Sequence, residues 1–154
     1  MPLPTIVTPT YELELPSTGK KVKYRPFLVK EEKLLVLALE TEDTKDISTA
    51  IKTVLKNCIQ TRGVKVENLP TFDIEYLFLN IRGKSVGEEV EVNLIAPDDE
   101  VTQVPVTISI DDIKIQKSKE HNSKVKLDDT LMMEMKYPSL DQFIKSNFDF
   151  TEEV

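Results

Sequence analysis

The chain has one cysteine, one histidine, four glycines and no tryptophan in 154 residues. A lone cysteine excludes an intrachain disulfide, so nothing points to an oxidising compartment. One Cys and one His cannot build a tetrahedral zinc site of the usual kind, and no metal or cofactor is expected. Scarce glycine argues against phosphate-cradling loops and flexible linkers. Long apolar runs are missing too: the longest, Leu34 to Leu39, is far short of a membrane span. The start, Met1-Pro2-Leu3-Pro4-Thr5, has neither the basic region nor the apolar core of a signal peptide. The chain is expected to be cytosolic at least where it is made.

What is present is ordinary for a globular protein: 40% apolar and 31% charged residues. The length fits one ordinary domain, or a small core with an appendage, and is enough to bury a real core. With 27 acidic against 20 basic residues, the net charge is −7. Phosphate backbones and anionic membrane surfaces repel such a chain, so neither nucleic acid nor membrane is an expected partner. A basic protein suits it better.

Residues 1–10, with Pro at positions 2, 4 and 9, read as an extended arm. Alternation then predicts a hairpin: Tyr11, Leu13 and Leu15 between Glu12 and Glu14, a turn at Pro16-Ser17-Thr18-Gly19, then Val22 and Tyr24 between Lys21, Lys23 and Arg25. One strand carries acids and the other bases, which suits cross-strand pairing. Three helices follow. The first, about Val29 to Glu40, is apolar on every face along Leu34–Leu39 and is expected to be central and buried. The second, about Asp46 to Thr61, has one apolar stripe through Ile47, Ile51, Val54, Leu55 and Cys58, with Gly63 closing it. The third, about Phe72 to Arg82, carries Pro70 near its start, Asp73 and Glu75 in its first turn, and Gly83 at its end.

The second half turns to period two. Val90, Val92 and Leu94, then Val104, Val106, Ile108 and Ile110, predict a hairpin around Pro97–Glu100. Ile113 and Ile115 with Val125 and Leu127 suggest a second hairpin around Ser118–Ser123, and Leu131, Met133, Met135 and Tyr137 a last strand. In outline the two late hairpins resemble a zinc ribbon without its thiols. Ser139 and Gln142 have capping-box spacing ahead of a short final helix and an acidic aromatic tail. The expected fold class is α+β: an arm over residues 1–10, a hairpin with a helical lobe over 11–85, an antiparallel β lobe over 86–137, and a short helix with the tail over 138–154.

Chemistry-bearing patterns are weak. Gly83-Lys84-Ser85 ends like a phosphate loop, but Phe78 stands where the motif needs its first glycine, and a helix precedes it rather than follows. Cys58 lies on the apolar stripe and reads as a buried structural thiol. His121 sits in a polar loop and reads as solvated. The acid pairs, such as Glu31-Glu32 and Asp111-Asp112, fit helix caps and solvated charge better than a split-environment catalytic pair. A small hydrolase is the rival class, but no nucleophile, base and orienting group can be nominated together. Candidate partner contacts are Leu3 and Ile6 in the arm, Lys21, Lys23 and Arg25 on the basic strand, and Phe143, Ile144, Phe148 and Phe150 in the tail, where aromatic anchors suit docking into a partner groove.

Three stretches are distinctive: Val22-Lys23-Tyr24-Arg25-Pro26-Phe27-Leu28-Val29-Lys30-Glu31-Glu32-Lys33-Leu34-Leu35, then Leu69-Pro70-Thr71-Phe72-Asp73-Ile74-Glu75-Tyr76-Leu77-Phe78, and Lys84-Ser85-Val86-Gly87-Glu88. With Leu3-Pro4 and the Leu15–Lys20 turn, they resemble the baseplate hub subunit family of T-even-like contractile-tailed bacteriophages, best over residues 3–95. The resemblance implies a non-enzymatic component or assembly factor of the hub. It acts in the host cytoplasm during assembly or in the virion baseplate, through contacts with other baseplate or tail proteins, with homo-oligomerisation left open. A transient chaperone absent from the mature virion is the alternative. Some family members are longer, which leaves the contacts of the tail end open.

Overall fold

The computed structural model describes residues 7–98, 101–119 and 121–142. Leu3, Ile6, Phe143, Ile144, Phe148 and Phe150 lie outside the described residues. The architecture is α+β, with helices in the middle and antiparallel hairpins on either side.

Strands β1 (Tyr11–Glu14) and β2 (Lys21–Tyr24) form the first hairpin with the expected pairing of acids against bases, Glu12 opposite Lys23 and Glu14 opposite Lys21. Gly19 takes φ +69° at the turn, a conformation that glycine adopts without a steric penalty. Alternation decides which face is buried: Val22 and Tyr24 are 0% and 2% exposed, while Lys21 and Lys23 face solvent.

Helix α2 (Thr44–Cys58) starts at an Asp43 cap whose carboxylate accepts the Lys45 N–H at 2.7 Å. It buries Ala50, Val54, Leu55 and Cys58. It ends at Cys58 rather than Thr61, because the chain turns extended at Ile59 to pair with β2: Arg25 N–H donates to Cys58, and Gln60 N–H to Lys23. Helix α3 (Thr71–Val86) supplies Ile74, Leu77 and Ile81 to the same core. Gly83 does not end it. Gly83 is buried within the helix, where a Cβ would lie 3.2 Å from Ile110 Cδ1, so glycine there permits close approach of the 3-10 turn Ile110–Asp112. The stop falls at Gly87, with φ +147° and its N–H on the Gly83 carbonyl.

Helix α1 (Val29–Glu40) corrects the expectation of a buried central helix. It packs on α2 and buries only Glu31 and Ala38, leaving Val36, Leu37 and Leu39 at 50%, 50% and 61% exposure. The core sits instead among the first hairpin, α2, α3 and Val66. An all-round apolar run does not by itself decide which faces the chain buries.

Strands β3 (Glu89–Ile95) and β4 (Gln103–Ser109) pair as expected. The next hairpin differs. Residues 113–117 are not strand, and β5 (Lys124–Lys126) pairs with β6 (Met132–Glu134) through a turn at 127–131. The turn expected at 118–123 is therefore not a hairpin turn, and the zinc-ribbon outline loses its second loop. Asp128 makes the actual turn by accepting the Thr130 and Leu131 N–H groups at 2.7 and 2.8 Å. The final helical turn begins at Leu140, with the capping box in place: Ser139 N–H donates to Gln142 Oε1 at 3.0 Å and Gln142 N–H to Ser139 Oγ at 3.4 Å.

Candidate interaction surfaces

The basic strand divides into two roles. Lys21 and Lys23 are exposed, with Lys21 Nζ 3.2 Å from Glu12 Oε1. Arg25 turns inward. Its guanidinium lies 3.1 Å from Glu31 Oε1, with the two side chains 13% and 1% exposed. The other Glu31 oxygen accepts the Leu28 N–H at 2.8 Å, closing the start of α1. Burial alone pushes the Glu31 carboxyl up, but the Arg25 and Leu28 hydrogen bonds and the Arg25 and Lys30 charges outweigh it and hold the group below the ordinary carboxylate range. Sequence reasoning took Glu31 for cap or solvated charge. Its spacing to Leu28 was the available signal for the cap; nothing in the sequence signalled the ion pair.

A second buried carboxylate was not foreseen. Asp73 is fully buried and accepts the Ser17 N–H at 3.0 Å and the Ser17 hydroxyl, tying the first turn to α3. Lys117 Nζ donates to the Pro16 carbonyl at 2.8 Å, and a groove of about 540 Å³ opens here between Pro16–Gly19, Tyr76 and Ile115.

Cys58 is fully buried, and burial above all pushes its thiol up to about 11, with Arg25 pulling the other way. It is protonated at neutral pH, hence a poor nucleophile. His121 stacks on Tyr137 at 5.6 Å and hydrogen-bonds its hydroxyl, and Tyr137 meets Phe72 edge-on at 4.9 Å. Ser85 accepts the Phe27 N–H at 2.9 Å, and Lys84 pairs with Glu88, so Gly83-Lys84-Ser85 serves helix packing. Among the described residues no group of three or more His, Cys, Asp or Glu is placed to hold a metal, and no helix is long and apolar enough to cross a membrane.

Exposed apolar surface stands out instead. Helix α1 and its neighbours form a cleft of about 380 Å³ lined by Phe27, Leu35, Leu39, Ile47, Phe78 and Val86, with Glu32 and Arg82 at the rim. On the β3–β4 ribbon every apolar residue of one face stands opposite another: Val90 with Ile108, Val92 with Val106, Leu94 with Val104. Ile108, Val92, Val104 and Leu94 are 38%, 36%, 46% and 51% exposed. The β5–β6 ribbon is alike: Val125, Leu127, Leu131, Met133 and Met135 are 42–59% exposed. A lone two-stranded ribbon is marginal in water, and patches of this kind mark protein contact sites.

Such a chain, with a small core and exposed apolar ribbons, offers surfaces of the kind that contact other proteins. It belongs to the T4 bacteriophage base plate protein family, whose model matches residues 8–154. Neither the curated proteins nor the solved structures provide a match.

Proposed function

We propose that this baseplate protein is a component or assembly factor of the baseplate hub that works through protein–protein contacts. The observation that carries the reading is the uncovered apolar surface of α1 and of the two late ribbons, on a chain of the baseplate family. Partners are other baseplate or tail proteins. They engage the α1 cleft, the exposed Lys21 and Lys23, the arm through Leu3 and Ile6, and the tail through Phe143, Ile144, Phe148 and Phe150. Arg25 acts from behind, holding the β2-to-α1 connection through Glu31. The protein meets these partners in the host cytoplasm as the tail is built.

Quantitative mass spectrometry of assembly intermediates and finished virions tests this. Hub proteins with the chain in both samples mark a hub component. The chain in intermediates alone marks a transient assembly factor. Its absence from tail proteins in both samples overturns the reading.

A further inference from the structure

Strand edges carry more information than faces here. Ala96 N–H donates to Thr102 and Ile110 N–H to Glu88. In an antiparallel ladder this fixes the even-numbered residues of β3 as those turned to β4, so Glu89, Glu91 and Asn93 present their N–H and C=O groups outward. On the outer edge of β4 the same parity puts Pro105, which has no N–H to give. Of the two edges of this ribbon, β3 is therefore the one open to a new strand. In the β5–β6 ribbon, Leu127 N–H donates to Leu131 and Met135 N–H to Ser123. Lys124 and Lys126 therefore face outward on β5.

We infer that β3 of one copy pairs edge to edge with β5 of a second copy, joining the two ribbons into one four-stranded sheet. An antiparallel register that sets Glu89 opposite Lys126 and Glu91 opposite Lys124 brings outward backbone groups to outward backbone groups. It places Val90 against Val125 on the apolar face and both acid–base pairs on the polar face. The chain already uses this code once: in β1–β2, Glu12 faces Lys23, Glu14 faces Lys21 and Leu13 faces Val22. Glu12 is engaged by Lys21, whereas Glu89 and Glu91 have no ion-pair partner among the described residues. Charge favours the match more widely. No Lys or Arg stands between Lys84 and Lys114, a stretch that holds Glu88, Glu89, Glu91, Asp98, Asp99 and Glu100. Two local contacts must let go: the Asn122 side chain, which accepts the Lys124 N–H at 3.1 Å, and the Lys126–Asp129 ion pair at 2.7 Å.

The two strands do not pair within one chain. Strand β3 leaves the C-terminal end of α3, while the segment after β6 returns to its N-terminal end, with Tyr137 on Phe72 and Ser139 bridged to Pro70. A helix of 16 residues holds those ends about 24 Å apart. Each copy thus offers two different edges, β3 and β5, so the contact is head-to-tail and closes into a ring or continues as a filament.

Sedimentation of the purified full chain over a range of concentrations tests this, independently of any baseplate role. The wild type is expected to associate as concentration rises. Charge reversal at β3 (Glu89→Lys with Glu91→Lys) or at β5 (Lys124→Glu with Lys126→Glu) should weaken association about tenfold or more, with unchanged circular dichroism. Mixing the two variants should restore it, since each supplies the edge that the other needs. A monomeric wild type, variants that associate like the wild type, or a mixture that stays apart overturns the inference.

Discussion

Arg25 and Glu31 lie 3.1 Å apart at the join between the first hairpin and α1, with Glu31 almost wholly out of solvent. The pair fixes where α1 leaves the core, so the exposed apolar surface of that helix rests on a buried contact. Removing one partner strands the other. Glu31→Ala is expected to lower unfolding free energy by about 3 kcal/mol, the lower end for a broken buried pair, measured by urea denaturation.

The same carboxylate sets a pH dependence. Its pKa is lower folded than unfolded, so its stabilisation is complete above the unfolded value of roughly 4.3 and is lost as pH falls through the folded value. Denaturation midpoints followed from neutral pH down through that range should fall less steeply for Glu31→Gln than for the wild type.

Asp73 and Ser17 couple a turn to a helix far away in sequence. Asp73→Ala leaves the Ser17 N–H without its acceptor in a part-buried place and should cost about 2 kcal/mol, with Ser17→Ala costing about 1 kcal/mol. Their double variant should cost less than the sum, which a double-mutant cycle reads directly.

Gly83 separates packing from capping. Gly83→Leu should destabilise by about 2 kcal/mol through overpacking on Ile110, and Ile110→Ala should recover part of that loss. If Gly83 were only a cap, Ile110→Ala would recover nothing.

Cys58 should be inert in the folded chain. A thiol-reactive probe at mildly alkaline pH is expected to modify it only after denaturation, because the thiol is buried and its pKa is about 11.

Much of this architecture was legible from periodicity. The first hairpin, with acids on one strand and bases on the other, and the stripe of α2 follow from spacing and charge. Helix ends were less so: Gly83 and Gly87 look alike in sequence, and only the approach of Ile110 tells a packing glycine from a stop. Ile113 and Ile115 alternate like a strand, but alternation names no partner, and β5 found β6 because Asp128 makes the tighter turn. Helix α1 differs from the expectation because a run such as Leu34–Leu39 looks the same in sequence whether the chain buries it or leaves it exposed. The buried roles of Asp73 and Glu31 had no signal beyond their first-turn positions, since Ser17 and Arg25 reach them from elsewhere. The arm and tail residues nominated for contact lie outside the described residues.

The most direct test of a contact function is capture of tail proteins by tagged chain from infected cells, comparing wild type with Val36→Glu plus Leu39→Glu. Both side chains are at least half exposed, so the variant should fold within about 0.5 kcal/mol of the wild type. The wild type is expected to bring down baseplate or tail proteins and the folded variant to lose most of them. A wild type that captures no tail protein, or a variant that captures them undiminished, would contradict the claim that the α1 surface joins this chain to the baseplate.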